Sequence, residues 1–351
     1  MRKLLLLGVL IVGASALAAG AYAALLWERM QEVYRGYDEP ERFVEIPQGM
    51  TPVAIGRRLV EAGVVRDELA FRAALWWADA ARQLQAGEYR FDAPLSAVAV
   101  VDLLVAGRVF EQRVTFPEGL TIEEMAGIYE SGGFGPAEAF VEAAGDPAPI
   151  VELDPEAPDL EGYLFPETYS VPRRVPAAQL VGLMVDRFTA TFSEGLRASA
   201  ASQGLSVREV VSLASLIEKE TARADERPLV SAVYRNRMRI GMGMQADPTV
   251  VYALKKAGRY DGNIRRVDLQ LDSPYNTYRY PGLPPGPIAA PGRAALEAAL
   301  APADVPYLYF VSRNDGSHVF ARTLAEHNRN VREFQVLFFR SQRQREAAGG
   351  R

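Results

Sequence analysis

Residues 4–27 read LLLLGVLIVGASALAAGAYAALLW and carry no charge, and this run constrains the chain more than any other feature. At 1.5 Å per residue a helix of this length reaches about 36 Å, enough to cross a hydrocarbon core with some tilt. Arg2 and Lys3 precede the run and Glu28 follows it. Basic residues before a span stay on the cytoplasmic side, which places residues 28–351 across the membrane. Trp27 then sits at the interface. A cleaved signal peptide is the alternative, with Ala21-Tyr22-Ala23 as a cleavage site. The run outlasts a signal core and continues through Leu25, Leu26 and Trp27, so a retained anchor is expected. The expected location is the plasma (inner) membrane, single-pass, with a cytoplasmic N-terminus and a periplasmic (extracytoplasmic) body.

The net charge of −5 becomes −7 once Arg2 and Lys3 are set aside. An acidic body argues against nucleic acid, whose phosphates need a basic face. Cysteine is absent, which rules out disulfides, thiolate nucleophiles and cysteine-ligated metals. His318 and His327 are the two histidines, and without an HExxH motif they offer little for a metal site. Neither a GxSxG elbow nor a GxxxxGK[ST] phosphate loop occurs. No metal and no cofactor are expected. A length of 351 residues suggests about two domains.

After the apolar run one pattern occurs twice. Val44-Glu45-Ile46-Pro47-Gln48-Gly49-Met50-Thr51 returns as Val114-Thr115-Phe116-Pro117-Glu118-Gly119-Leu120-Thr121. Each copy reads as a short strand, a Pro-x-Gly turn and a helix capped by Thr51 or Thr121. Between the copies the pattern predicts a helix over 68–82, a strand over 87–91 and a helix over 96–106. These elements suggest a small α+β module at 42–145, either a spacer or a carbohydrate-binding module resembling LysM. Residues 146–159 hold four prolines and read as a boundary. A second domain then spans 146–340, with a helix over 177–201, a proline-rich structured loop over 279–292, a hairpin around Asp315-Gly316 and a closing helix over 323–340. Residues 341–351 read as a polar, flexible tail. The expected fold class is α+β: a transmembrane helix within 1–27, the small α+β module, then a mixed α+β domain.

The helix over 206–223 carries the most chemistry. Ser206 and Glu209 form a capping box ahead of an apolar run. At about 100° per residue, Glu218 and Glu220 flank the apolar face on opposite sides, about 160° apart, and Lys219 points to solvent. The two glutamates cannot act as a close pair. A carboxyl at an apolar margin has its pKa raised by desolvation and can donate a proton near neutral pH. Two ordinary helix-surface glutamates are the plainer reading of that spacing. Tyr275-Asn276-Thr277-Tyr278 and Tyr280 offer the flat faces and amides of a sugar site, or simply a packed loop. Gln245-Ala246-Asp247-Pro248-Thr249 reads as a helix start with Asp247 at the N-cap and Pro248 at the first turn.

Leu213-Ala214-Ser215-Leu216-Ile217-Glu218-Lys219-Glu220-Thr221 resembles the signature helix of the YceG-like endolytic murein transglycosylases. So do Leu160 to Tyr169, Asn236-Arg237-Met238 with Gly241-Met242, Gln245 to Thr249, Tyr275 to Tyr278, Gly282 to Ile288, and Glu326-His327-Asn328, in the family's order. Ala246 departs from the threonine expected there. The resemblance covers roughly residues 40–340. It implies a membrane-anchored lytic transglycosylase with a LysM-like N-terminal part and a catalytic domain at 146–340. The implied substrate is peptidoglycan, cut between N-acetylmuramic acid and N-acetylglucosamine, with nascent strands and their synthases as partners and elongation terminated by the cut.

The family's catalytic glutamate falls on Glu218. The other blocks point to Glu161, Tyr163, Gln245, Asp247, Tyr275, Asn276, Tyr278 and Asn328 for substrate binding. One carboxyl suffices if Glu218 first protonates the glycosidic oxygen and then takes the proton of the muramic acid 6-hydroxyl, leaving a 1,6-anhydro end. A muramidase-type hydrolase would need a second carboxylate roughly 5–9.5 Å away, for which Glu220, Glu161 and Asp247 are the candidates. A non-catalytic cell-wall binding protein is the remaining alternative.

Overall fold

The structure, a computed structural model, describes residues 2–340 and 342–343. The expected tail over 341–351 lies outside them, apart from Gln342 and Arg343. Contacts divide the chain into two units, Met1–Gln112 and Arg113–Arg351.

The first unit opens on one helix, Arg2–Gln31. Its stretch Leu7–Gln31 is long and apolar enough to cross a membrane, and the apolar window is not buried against protein. The helix runs past Trp27 because its last turn has partners: Met30 is buried in the unit's core and Arg29 pairs with Asp67 at 3.0 Å. Strand Arg42–Ile46, helices Pro52–Glu61 and Glu68–Trp77, strand Gly87–Phe91 and helix Ala97–Val105 follow. The strands pair antiparallel, Val44 opposite Tyr89. Their two-residue period turns Val44, Ile46, Tyr89 and Phe91 into the core with Leu59, Phe71 and Leu104. The helix expected to reach residue 82 stops at Trp77, and Asp79 just beyond it takes the left-handed conformation at φ 48°.

The second copy of the repeat folds locally like the first. Gly49 and Gly119 adopt the same left-handed turn at φ 82° and 79°, and Thr51 and Thr121 cap the following helices, Pro52–Glu61 and Ile122–Ser131. The tertiary partners differ. Strand Gln112–Thr115 pairs with Thr168–Val171, and Phe116, Met125 and Phe140 share one core with Leu180 and Phe188. The division by contacts therefore falls at 112/113, whereas the prolines suggest a boundary at 146–159. Those prolines interrupt regular structure without interrupting packing, since Ile150 and Asp154 among them are buried.

The helix expected over 177–201 is two, Ala177–Thr191 and Glu194–Ser202. It breaks at Phe192, which is fully buried with its ring stacked on Phe188 at 5.7 Å. Helix Val207–Glu220 then runs through the centre, buried at every residue from 210 to 217, behind the expected Ser206–Glu209 capping box. Helices Arg227–Arg239 and Asp247–Lys256 follow, then the proline loop and helix Arg293–Leu300. The chain closes on the hairpin Tyr309–Ser312 and His318–Ala321 and on helix Leu324–Val331, which passes into a π-helical turn at Arg332–Leu337.

Candidate active site

Glu218 stands in the last turn of the central helix, past its eight buried residues, with a side chain 7% exposed. Its Oε2 accepts the backbone N–H of Gly292 at 3.1 Å. Gly292 is the N-cap of helix Arg293–Leu300, so the carboxyl sits where a helix dipole favours negative charge. Its Oε1 lies 3.5 Å from Arg227 Nη2, and the same nitrogen lies 4.0 Å from Glu118. Burial pushes the Glu218 carboxyl up. The Gly292 N–H opposes this, the Glu118 charge adds to it and Arg227 opposes it, and the net direction is upward. The group is thus biased toward the form that can donate a proton.

Segments distant in sequence build this corner. The proline loop crosses the second Pro-x-Gly turn through two backbone bonds of 2.8 Å, Gly119 N–H to Ala290 O and Ala290 N–H to Leu120 O. The loop also meets the central helix where Ile288 N–H donates to Ser215 Oγ at 3.1 Å. Lys219, expected to point to solvent, instead donates from Nζ to the Gly119 carbonyl at 2.9 Å. A cleft of about 330 Å³ is lined by Thr121, Lys219, Asp247, Pro248, Tyr252 and Ile288, and Glu218 is not among its lining residues. The sequence reading missed Glu118, Arg227 and Gly292. Glu118 had a usable signal, its place in the repeated turn.

The Leu160 to Tyr169 block passes between the central helix and the proline loop. Gly162 there has φ 83°, and a Cβ on it would lie 2.4 Å from Pro287 and 3.0 Å from Val211. Gly162→Ala combines a left-handed strain with that clash and should cost about 2–3 kcal/mol, roughly a 4–12 °C fall in melting temperature for a unit of this size. A fall under about 2 °C in a thermal melt would show that the loop yields instead.

The sequence pattern of the YceG-like family spans residues 44–333 of this chain. The chain belongs to the YceG-like family. It is 32% identical over 303 residues to a Bacillus subtilis protein named endolytic murein transglycosylase, covering 82% of each. It is 30% identical over 322 residues to a Streptococcus pneumoniae protein of the same name, and there it spans 83% of its own length and 58% of the relative's. The crystal structure of a yceG-like protein from Listeria monocytogenes matches at a TM-score of 0.57 and 30% identity, over 83% of this chain and 99% of that one.

In this YceG-like chain the other expected residues fall into three groups. Some face the cleft or solvent. Asp247 lines the cleft and accepts the Tyr278 hydroxyl at 2.5 Å. Its carboxylate does not cap its helix, because the N-cap is Ala246, whose carbonyl takes the Thr249 hydroxyl at 2.7 Å. Gln245 is exposed at φ 50°. Tyr275 is half-buried with its ring 4.9 Å from that of Tyr252.

A second group is spent inside the fold. Asn276 is fully buried, with its amide N–H groups on the Leu269 and Leu271 carbonyls and its oxygen on Tyr278 N–H. It clamps the loop and offers no amide to a sugar. Tyr163 is buried with its hydroxyl on Asp154 at 2.6 Å. Glu161 is buried, accepts the Tyr252 hydroxyl at 3.3 Å and is pushed up to about 8 by that burial, with Glu123 and Asp159 adding to it. A neutral, enclosed carboxyl is a poor second carboxylate for a hydrolase.

The third group lies elsewhere. Glu220 accepts the Tyr234 hydroxyl at 2.7 Å, and among the described residues no hydrogen-bond partner is common to it and Glu218. Asn328 is exposed on helix Leu324–Val331, and among the described residues no hydrogen bond ties it to Glu218. His318 is bound to Glu226 at 2.7 Å, and His327 stacks on Tyr309 at 5.2 Å. Among the described residues no group of three or more His, Cys, Asp or Glu could hold a metal ion.

Proposed function

We propose that this YceG-like chain is a membrane-anchored lytic transglycosylase that cuts peptidoglycan strands internally, with Glu218 as both acid and base. The observation that carries the reading is the Glu218 carboxyl itself. It is buried, biased toward its protonated form, and held by the Gly292 N–H beside Arg227. In the first step the Glu218 proton passes to the glycosidic oxygen as the bond from C1 of N-acetylmuramic acid breaks. Arg227 and the Gly292 N–H then hold the carboxylate that remains. In the second step the 6-hydroxyl of the same sugar attacks C1 and gives its proton back to Glu218, closing a 1,6-anhydro ring. No water is consumed and the enzyme is regenerated.

Residues 4–27 serve as the retained span, with the N-terminus cytoplasmic and the body outside. The first unit takes the LysM-like, glycan-positioning role. The substrate is the nascent strand, cut beside the synthases that extend it. Tyr275, Tyr278, Gln245 and Asp247 flank the path of the strand.

A muramidase-type hydrolase is the second reading, and Glu118 is the observation that favours it. Legs of 3.5 and 4.0 Å through Arg227 Nη2 put its carboxylate at most about 7.5 Å from that of Glu218, within reach of the two-carboxylate geometry of hydrolases. Purified chain incubated with glycan strands separates the readings. Mass analysis should find 1,6-anhydro ends. Reducing N-acetylmuramic acid ends in their place would overturn the transglycosylase reading in favour of the hydrolase.

A further inference from the structure

The chain contains three tryptophans, Trp27, Trp76 and Trp77, and all three lie together in the first unit. The rings of Trp27 and Trp77 meet edge-to-face at 4.8 Å. Trp76 and Trp77 are 82% and 60% exposed. Trp27 is the last residue before Glu28 and Arg29, so it marks the end of the charge-free run. The neighbouring helix Glu68–Trp77 is pinned at both ends to this point. Its N-cap Asp67 pairs with Arg29 at 3.0 Å, and its last residue rests on Trp27. The C-terminal end of that helix therefore rests on the last residue of the charge-free run.

That helix already supplies its core face through Ala70, Phe71, Ala74 and Leu75. The two tryptophans are therefore extra to its packing, and in water they would leave large apolar rings uncovered. Indole rings gather at the headgroup level of a bilayer, where the ring is apolar and the N–H stays wet. Through Trp27 the exposed pair is continuous with the uncovered apolar window of the long first helix, which makes lipid its natural cover.

We infer that Trp76 and Trp77 form a second membrane contact, seated in the outer headgroup boundary beside the exit of the anchor helix. The inference rests on residues 4–27 being the span. Helix and tryptophan tip together give the first unit two points of attachment, which fixes its tilt against the bilayer as a single helix cannot.

Because the chain has no other tryptophan, its fluorescence excited at the red edge, where tyrosine does not absorb, reports on this cluster alone. The test uses the full chain in phosphatidylcholine vesicles, with and without lipids brominated close to the headgroup. Trp27→Phe leaves Trp76 and Trp77 as the sole tryptophan emitters, and their blue-shifted emission should fall at least about twofold in brominated lipid. Trp76→Ser with Trp77→Ser leaves Trp27, which should be quenched by the anchor alone. If Trp27→Phe emits as in water and is unquenched while the serine variant is quenched, the anchor stands and the second contact is overturned. If no variant floats with the vesicles, the anchor reading falls and takes this inference with it. Should Trp27→Phe not fold, the same quantity is read as the difference between wild type and Trp76→Phe with Trp77→Phe.

Discussion

Glu218→Gln is expected to lower cleavage by at least about 10²–10⁴-fold, since in the proposed mechanism one group serves both proton transfers, while shifting the melting temperature by no more than about 2 °C. The amide keeps the length of the side chain and an oxygen for the Gly292 N–H. It can neither release nor take up a proton. Glu220→Gln is the matched control. Its carboxyl accepts the Tyr234 hydroxyl, and burial pushes it up toward the neutral form, so an amide oxygen is a close substitute and activity should stay within about tenfold of wild type. Anhydro-product formation by both variants, with thermal melts alongside, checks the pair. A folded Glu218→Gln that cuts at near the wild-type rate removes Glu218 from the mechanism. Equal loss in a folded Glu220→Gln would mean that the two glutamates act together. The donor is the protonated form, so the wild-type rate should fall as pH rises through the raised Glu218 value.

Asp154→Ala should lower stability by about 3 kcal/mol, or roughly 6–12 °C in melting temperature. Asp154 is 7% exposed and accepts two bonds from Arg208, at 2.7 and 2.6 Å, and one from Tyr163. Truncation leaves a guanidinium and a buried hydroxyl without their acceptor. The low end of the range for a buried pair applies because Arg208 keeps 20% exposure. Arg208 stands in the first turn of the Val207–Glu220 helix, so the loss loosens the helix that carries Glu218. Burial alone would push the Asp154 carboxyl up, but the bonds from Arg208 and Tyr163 outweigh it and hold the carboxyl below its ordinary value. A depressed carboxyl stabilises the fold above its unfolded pKa of about 3.9, and that contribution disappears as pH falls through the lower folded value. Asp154→Asn should therefore flatten the acid limb of the stability curve. An unchanged acid limb would locate the linkage elsewhere.

What the sequence made legible was local. Thr51, Thr121 and Ser206 cap helices through side chains that reach only three residues. The phase that separates Glu218 from Glu220 is likewise a property of one helix. What stayed hidden depended on residues meeting across long stretches of chain. Glu118 and Glu218 are a hundred positions apart and share Arg227. Trp27 and Trp77 are fifty apart. Asn276 looked like a sugar-binding amide because nothing in its own segment announces that the Leu269 and Leu271 carbonyls will claim it. The break after Thr191 was hidden because the periodicity runs through it, while the backbone leaves the helix at Phe192 (ψ 63°) and Ser193 (ψ 167°) before the next helix begins.

The pairing of Gln112–Thr115 with Thr168–Val171 decides where this molecule can be cut and rejoined. A graft that takes its seam at the prolines would strip Phe116, Met125 and Phe140 from the larger core. It would also leave Thr168–Val171 as a bare edge, open to pairing with another molecule. Spliced between residues 112 and 113, the same exchange keeps the edge covered and the Glu118 turn beside Glu218. At that joint the first unit can be exchanged without opening the larger core, and the second Pro-x-Gly turn stays with the unit that carries Glu218.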